Sequence, residues 1–239
     1  MSILLHGDCL DEMKIIDDNS VDLIFCDLPY GQTSCKWDCC VNLDKFWVEI
    51  MRIKKLNTPI FFTTTTKFGV NLISSAPKKC PFRFDLVYKK SSSSGFLNSG
   101  RAPLRLHEMI YVFYERQPFY DLSSHKQKFI DKEDDVDVKD SAYGTLKIKQ
   151  PKTSGSRYDP PLPNSVLEIK STRGKHSTEK PVALIEWILK YYSKEGDVVL
   201  DPTMGSGSCG VACENMNRKF IGIEKDAEIY EVAFNRLQG

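Results

Sequence analysis

Short apolar runs recur along much of the chain, and most are too continuous to form one face of a helix. Runs of this kind, bounded by turn residues, are typical of strands buried on both faces of a parallel sheet. We predict strands at ILLH 3–6, VDLIFC 21–26, PIFFTT 59–64, FRFDLVY 82–88, EMIYVFYE 108–115, GDVVLDP 196–202 and KFIGIE 219–224.

Apolar residues at helical spacing lie between these runs. We predict helices at 11–16, 42–56 and 182–192, another starting after Gly207, and a last one at 226–237. The segment VALIEWILKYY at 182–192 is apolar nearly all round, which indicates a helix buried on most sides. The alternation of strands and helices predicts an α/β fold with a mostly parallel sheet and helices on both of its faces.

The alternation stops after residue 115 and resumes near residue 176. Residues 116–175 lose the hydrophobic periodicity and gain Ser, Pro, Lys and Asp, which is typical of an exposed insertion rather than of a core. We therefore predict one α/β domain, whose halves at 1–115 and 176–239 flank an inserted module.

The overall composition bounds the class of protein. Hydrophobic residues make up 41% and charged residues 27% of the chain, which are ordinary values for a globular protein. We find no apolar run near the ~20 residues that span a bilayer, and no basic region typical of a signal peptide at the N-terminus. We expect a cytoplasmic protein without membrane contact, whose eight cysteines are reduced thiols.

The net charge of +1 hides a local asymmetry. Residues 126–140 hold four Lys against six acidic residues, which is typical of a solvated surface. Residues 145–180 hold eight Lys or Arg against three acidic residues, a net charge of +5 that suits phosphate contact. Cys35, Cys39 and Cys40 lack the fourth ligand and the usual spacing of a zinc site, so we expect no bound metal.

A glycine-rich turn between a predicted strand and a predicted helix is the strongest local signal. Three glycines of VVLDPTMGSGSCG, residues 198–210, satisfy G-x-G-x-x-G, a pattern shared with dinucleotide-binding turns. Asp201, just before the turn, would repel a pyrophosphate but attract a cation such as the α-ammonium of S-adenosyl-L-methionine. Glu224 ends the next predicted strand, where an acidic residue can hold a ribose diol.

A second turn, formed by Asp27, Leu28, Pro29 and Tyr30, follows another buried strand. An exocyclic amine on a nucleobase is a poor nucleophile, because its lone pair is delocalised into the ring. The Asp27 carboxylate and the Leu28 backbone carbonyl would accept both N–H hydrogens and direct the lone pair at a methyl donor. Tyr30 would stack on a base taken out of the helix. By itself, however, D-x-P-Y is also an ordinary turn.

In this order, the motifs together resemble the amino-methylating DNA methyltransferases of the β class. The resemblance covers almost everything outside residues 116–170. It rests on five segments, which are GDCL at 7–10, DLPYG at 27–31, RAPLRLHEMIYVFYE at 101–115, HSTEKPVALIEWIL at 176–189 and DPTMGSG at 201–207. It implies a Rossmann-like, S-adenosyl-L-methionine-dependent methyltransferase fold with a circularly permuted motif order, in which the catalytic motif precedes the cofactor motif. It also implies that residues 116–175 recognise the target sequence.

The resemblance implies a set of cofactor-binding residues. Asp8 fits a position near the cofactor adenine, and Thr178 or Lys180 fits one near the cofactor carboxylate. A helix N-cap is the alternative role for Asp8, and a cap and a solvated lysine are the alternatives for the other two. The full set is Asp8, Cys9, Asp27, Thr178, Lys180, Asp201, Pro202, Thr203, Met204, Gly205, Ser206, Gly207 and Glu224.

The first residue of the catalytic motif points to the methylated atom. In the family, a leading Asp is associated with adenine N6 and a leading Ser with cytosine N4, so Asp27 favours adenine N6 and leaves cytosine N4 as the alternative. Leu28 stands where the family usually has its first Pro. The Leu28 carbonyl remains available, although the turn loses some of its preorganisation.

Double-stranded DNA is the expected partner. Lys89, Lys90, Arg101 and Arg105 flank the loop-like stretch SSSSGFLNSG at 91–100. Lys36 follows the catalytic turn, and the basic stretch at 145–180 contributes three of the predicted contacts. The predicted DNA contacts are Lys36, Lys89, Arg101, Arg105, Lys147, Lys149 and Arg157. A homodimer and a companion restriction enzyme are further candidate partners.

Other functions fit parts of the same pattern. An RNA base or a protein side-chain amide is also a planar amine and would suit a turn of the DLPY type. A cofactor-binding subunit without catalysis is a third candidate, which the intact Asp27 and Tyr30 oppose. A nicotinamide dehydrogenase is a fourth, which Asp201 opposes.

Overall fold

The computed structural model describes residues 2–29, 41–130, 155–170 and 179–238, with side chains for all of these except 128–130 and 155–156. It divides into two compact units. One comprises Met1–Asp121 and Ser165–Gly239, and the other comprises Leu122–Asn164. Within the described ranges, no helix is both long enough and apolar enough to cross a membrane.

An eight-stranded sheet forms the core of the larger unit. Its strands are β1 Ser2–His6, β2 Leu23–Cys26, β3 Ile60–Thr64, β4 Phe82–Ser94, β5 Arg105–Phe113, β8 Val166–Glu168, β9 Val198–Asp201 and β10 Lys219–Glu224. The smaller unit contains the antiparallel pair β6 Lys126–Ile130 and β7 Gly155–Asp159. The helices are α1 Cys9–Glu12, α2 Leu43–Ile53, α3 Thr66–Ser75, α4 Val182–Tyr192, α5 Ser208–Asn215 and α6 Ala227–Gln238.

The strand order in the large sheet is β1-β10-β9-β2-β3-β5-β4-β8. Every neighbouring pair is parallel except the two that involve β5, which runs antiparallel to both β3 and β4. The predicted α/β fold with a mostly parallel sheet is confirmed.

The central strands are buried on both faces, as their continuous apolar sequences predict. Every residue of β2 and β3 is buried. Phe62 on β3 makes edge contacts with Trp47 of α2 and with Phe113 of β5, at ring-centroid distances of 5.6 and 5.5 Å. Aromatic rings in such arrangements add about 0.5–1.5 kcal/mol per pair beyond their buried area. This packing holds the strand ends, and the side chains on them, in fixed positions.

Strands β9 and β2 lie side by side, although the chain leaves them in opposite directions across the sheet. After β9 the chain continues through α5 to β10 on one side, and after β2 it continues through α2 to β3 on the other. A crevice opens at the carboxyl ends of parallel strands where the winding reverses in this way, and ligands bind there in open α/β sheets. The turns at Asp27 and Asp201 both lie at this edge.

The structure departs from the expected elements in several places. Strands β6, β7 and β8 lie within residues 116–175, where no strand is predicted, and β8 joins the large sheet beside β4. The helix predicted at 11–16 is a short helix at Cys9–Glu12 followed by a 3-10 turn at Met13–Ile15. Residues 91–94 of the loop-like serine stretch belong to β4, which pairs with β5 through a register shift between Lys89 and Ser94. Helix α3 was not predicted. It begins because the Thr65 hydroxyl accepts the Phe68 N–H at 3.3 Å, and it buries Phe68 and Leu72.

Candidate functional site

The glycine-rich turn links β9 to α5 and is bound on one side by the end of β10. Met204 N–H donates to the Ile223 carbonyl at 2.9 Å, and Gly205 N–H donates to Glu224 Oε2 at 3.0 Å. Gly205 and Gly207 adopt φ values of 52° and 83°, a conformation that other residues rarely adopt. A side chain at Gly207 would also lie 3.1 Å from Leu237. The missing side chain of Gly207 therefore makes room for α6, whereas the space beside Gly205 is open.

Asp201 is a buried carboxylate beside this turn. It is 3% exposed, and its Oδ1 accepts the Thr203 N–H at 3.1 Å. Burial raises the pKa of Asp201 well above its usual value, and the negative charges of Asp27 and Glu224 act in the same direction. A carboxylate in such surroundings gains strongly from an added cation.

The turn also contains an unsatisfied polar atom. The Thr203 hydroxyl is buried and has no hydrogen-bond partner among the described residues. Buried polar groups in native proteins nearly always have partners, so an exception beside a crevice marks a place for a ligand atom. The Asp201 carboxylate and the Thr203 hydroxyl together fit a small molecule that carries both a cation and a hydrogen-bonding group.

Glu224 and Asp8 both have structural contacts in addition to their proposed binding roles. The second carboxylate oxygen of Glu224 accepts the Asp226 N–H at 2.8 Å, and burial raises the pKa of Glu224. Asp8 caps α1 by accepting the Leu10 N–H at 3.0 Å, and it forms an ion pair with Lys225 at 3.0 Å. The N-cap alternative for Asp8 is therefore present in the structure, and a role at the cofactor adenine stays a prediction.

Asp27 ends the strand next to Asp201 and is held from two sides. Its Oδ1 accepts the hydroxyl hydrogen of Thr63, a buried residue on β3. Its Oδ2 accepts from the Lys180 ammonium at 2.6 Å. The Leu28 side chain is 2% exposed, so the backbone of the turn is anchored in the core. Both oxygens of the Asp27 carboxylate therefore accept hydrogen bonds from the protein, out of about four acceptor sites that a carboxylate offers.

Lys180 joins Asp27 to a carboxylate that the sequence did not single out for the site. Its ammonium lies 3.5 Å from Glu108 Oε2, and its side chain is only 12% exposed. Burial lowers the pKa of Lys180, but Asp27 and Glu108 outweigh this, and the net pKa is raised. We expected Lys180 at the cofactor carboxylate. The described structure places it against Asp27, and the cofactor role stays a prediction.

The remaining predicted cofactor residues lie around the turn and the start of the chain. Cys9 is buried, and burial raises the pKa of its thiol to about 12, so it is a neutral thiol at physiological pH. Pro202, Met204 and Ser206 are buried within the turn itself. In the described ranges, the cysteines are buried and free, namely Cys9, Cys26, Cys80, Cys209 and Cys213.

Several predicted site residues lie outside the described residues. These are Tyr30, Lys36, Lys147, Lys149 and Thr178, together with the three clustered cysteines Cys35, Cys39 and Cys40. Pro29, by contrast, is described and is partly buried beside Asp27.

The described DNA-contact candidates are surface residues of two separate units. Arg101 and Arg105 are exposed at the tip of the β4–β5 hairpin in the larger unit. Lys89 lies on the same hairpin and forms an exposed ion pair with Glu168 at 2.8 Å. Arg157 is exposed on β7 of the smaller unit.

Sequence comparison relates the chain to DNA methyltransferases over nearly its whole length. The chain is 28% identical over 266 residues to the type II methyltransferase M.HinfI of Haemophilus influenzae, with 100% of this chain and 68% of that protein covered. It is 29% identical over 253 residues to the DNA adenine methyltransferase YhdJ of Escherichia coli (strain K12), with 98% of this chain and 82% of that protein covered.

Solved structures share the fold at lower identity. The M1.HpyAVI–SAM complex superposes with a TM-score of 0.66 at 21% identity, covering 99% of this chain and 100% of that one. The PvuII DNA methyltransferase, described as cytosine-N4-specific, superposes with a TM-score of 0.69 at 14% identity, covering 98% and 86%. The family model described as DNA methylase matches residues 21–235. The chain therefore belongs to the DNA methylase family.

Proposed function

We propose that the protein transfers a methyl group from S-adenosyl-L-methionine to the N6 amine of adenine in double-stranded DNA. The observation that carries this proposal is the placement of Asp27 and Asp201 at the ends of adjacent parallel strands, β2 and β9, on the switch-point edge of the sheet. A residue suited to hold an amine and a residue suited to hold the donor's cation thus share one crevice.

The turn residues suit the methyl donor. When bound, S-adenosyl-L-methionine supplies an electrophilic methyl group on a sulfonium that leaves as a neutral thioether. The buried Asp201 carboxylate would accept hydrogen bonds from the donor's α-ammonium, and Glu224 would accept from its ribose hydroxyls. The bare backbone of Gly205 would allow close approach. The M1.HpyAVI–SAM complex has the same fold.

Asp27 would act on the amine that receives the methyl group. The carboxylate and the Leu28 carbonyl accept the two N–H hydrogens and leave the nitrogen lone pair pointing at the methyl carbon. As the N–C bond forms, positive charge develops on the nitrogen, and a fixed carboxylate next to it stabilises that charge. The proton that the nitrogen finally loses passes along the same hydrogen bond or to water. Tyr30 would stack on the extruded base.

Adenine N6 is the favoured acceptor, and cytosine N4 is the second candidate. Asp27 as the first residue of the catalytic turn favours adenine, and one relative is named a DNA adenine methyltransferase. The fold alone does not separate the two bases, because the cytosine-N4-specific PvuII enzyme has it as well.

DNA contact would come from the β4–β5 hairpin, through Lys89, Arg101 and Arg105, and from the basic stretch at 145–180, through Lys147, Lys149 and Arg157. Lys36 would contact DNA beside the target base. Residues 116–175 would supply sequence recognition. Relatives of this chain are named type II methyltransferases, which suggests a companion restriction enzyme. We also propose a homodimer, which light scattering would test.

Nucleoside analysis tests the proposal directly. The protein is incubated with double-stranded DNA and isotope-labelled S-adenosyl-L-methionine, and the DNA is digested to nucleosides for mass spectrometry. Labelled N6-methyladenine is the expected product. Labelled N4-methylcytosine would move the assignment to the second candidate. Label in RNA or in protein, with none in DNA, would overturn the proposal.

A further inference from the structure

An ion-pair chain leads from the β4–β5 hairpin to Asp27. Lys90 on β4 lies 3.2 Å from Glu108 Oε1 on β5, and Lys180 lies 3.5 Å from Glu108 Oε2. Lys180 then lies 2.6 Å from Asp27 Oδ2. The side chains of Lys90, Glu108 and Lys180 are 19%, 28% and 12% exposed, so these three charged groups are largely shielded from solvent.

We propose that Glu108 is a positioning residue for methyl transfer, which fixes Lys180 and thereby the Asp27 carboxylate; the inference rests on the proposed function. Glu108 acts on Asp27 through the Lys180 ammonium, which lies between the two carboxylates. Through Glu108 and Lys180, the β4–β5 hairpin, which carries proposed DNA contacts, is linked to Asp27.

The physical argument begins with the cost of a buried ammonium. Lys180 has a long, flexible side chain. A single carboxylate partner fixes the distance between that carboxylate and the Lys180 nitrogen, but not the direction of the side chain. Glu108 on β5, whose Oε2 lies 3.5 Å from the Lys180 nitrogen without a hydrogen bond, attracts the ammonium by charge from a second side. Burial of an ammonium is unfavourable unless it is paired, so the second partner also keeps the Lys180 charge in place.

The second step concerns the orientation of Asp27. Its carboxylate is held on Oδ2 by Lys180 and on Oδ1 by Thr63, which defines the plane of the group. The directions in which the Asp27 carboxylate accepts hydrogen bonds are then fixed. A misplacement on the order of 1 Å of a group that orients a substrate can slow a reaction about 100-fold. Loss of Glu108 should release Lys180 and loosen this orientation.

The main test is Glu108→Gln, which keeps the shape and removes the charge. Single-turnover methylation of DNA at saturating cofactor should slow by ~10- to 100-fold, whereas the cofactor Kd should stay within ~2-fold of the wild-type value. Glu115→Gln is the matched control. Glu115 lies just beyond the other end of β5 and pairs with the buried Lys54 at 2.9 Å, away from Asp27. It should leave the single-turnover rate unchanged.

A double-mutant cycle shows whether Glu108 acts through Lys180. In a Lys180→Met background, Glu108→Gln should slow methyl transfer by less than ~2-fold, because the ammonium it positions is gone. An undiminished effect in that background would overturn the inference. So would an unchanged rate for Glu108→Gln in the wild-type background.

An NMR titration gives a readout that does not depend on methylation. The Lys180 side chain, observed in protein with labelled lysines and assigned by the Lys180→Met spectrum, should lose part of its raised pKa in Glu108→Gln, because one of its two carboxylates is gone. A Lys180 pKa that is the same in both proteins would overturn the inference even if the substrate were not DNA. Absence of methylated DNA with wild-type protein would instead count against the proposed function.

Discussion

Asp27 and Asp201 end neighbouring parallel strands, but their surroundings differ. Asp27 has an internal cation, because Lys180 donates to it at 2.6 Å. Asp201 is 3% exposed, accepts the backbone N–H of Thr203, and has its pKa raised by burial. This difference indicates that the Asp27 and Asp201 carboxylates have different functions. One is already fixed by the protein, and the other is stabilised when a cationic ligand arrives.

The largest effect should come from Asp27→Ala. Removal of the group that accepts the amine hydrogens should lower the single-turnover methylation rate by ~100- to 1000-fold, as the loss of one preorganised electrostatic partner does. Calorimetric affinity for S-adenosyl-L-methionine should change little, because the donor is bound on the Asp201 side.

Asp22→Asn is the control for this change. Asp22 precedes the same strand at its amino end, where it pairs with Lys55 at 2.7 Å and accepts the Val198 N–H at 3.0 Å. The variant should transfer methyl groups at the wild-type rate. A fully active Asp27→Ala protein would contradict the mechanism.

Asp201→Ala should show the opposite pattern. Loss of a charge-assisted hydrogen bond costs about 1.5–3 kcal/mol, so the cofactor Kd should rise by ~10-fold or more in calorimetry. At saturating cofactor, the rate should recover more than it does for Asp27→Ala. Asp197→Asn, just before the amino end of the same strand, is the matched control and should leave the cofactor Kd unchanged. An unchanged cofactor Kd in a folded Asp201→Ala protein would refute the donor site.

Thr63→Val should have a smaller effect. The change keeps the shape and removes the hydroxyl that donates to Asp27, while Lys180 still holds the other oxygen. We expect the single-turnover rate to fall by ~3- to 10-fold. Thr64→Val removes the neighbouring hydroxyl, which donates to the Thr65 carbonyl, and should not change the rate. Equal rates for the two variants would show that Lys180 alone fixes Asp27.

The smallest effect should be the pH dependence of cofactor binding. The raised pKa of Asp201 means that the free protein keeps a proton on this group above the usual carboxyl range, and the donor's ammonium favours the ionised form. Cofactor affinity should therefore increase as the pH rises through the Asp201 pKa, by ~2- to 5-fold per pH unit, and Asp201→Asn should flatten the profile. An affinity in wild-type protein that falls as pH rises would contradict the sign.

The same pKa shift affects folding in the opposite sense. A carboxyl with a raised folded pKa binds more protons in the native state than in the unfolded state, so its contribution to stability decreases as the pH rises from the unfolded pKa to the folded pKa. Added cofactor should reduce this loss, because it supplies the missing cation.

The strand ends were predictable because they depend on local sequence. A continuous apolar run followed by an acidic residue and a turn specifies a buried strand with a carboxylate at its end, as at VDLIFC and VVLD. Helix α3 was harder to predict. Its segment contains Thr, Gly, Asn and Ser, and at Gly69 the close approach of the Tyr111 ring, from a distant strand, leaves no room for a side chain.

The partners of Lys180 could not be predicted either. The motif containing Lys180 suggested the cofactor carboxylate, whereas the structure pairs Lys180 with Asp27, 153 residues away in the sequence, and with Glu108. Ion pairs between distant segments depend on strand order and register, and no local pattern specifies them. Beside His107 in the sequence, Glu108 suggests metal binding, acid–base chemistry or a structural role, and none of these predicts its pairing with Lys180.

The sequence by itself determined the α/β fold, the two functional turns and the order in which they occur, because hydrophobic periodicity, glycine and proline act over a few residues. Only the tertiary structure decided that β2 and β9 lie side by side, that β5 runs antiparallel, and that Lys180 lies between Asp27 and Glu108. These features arise from packing between segments far apart in the chain, where burial and charge pairing act through space rather than along the sequence.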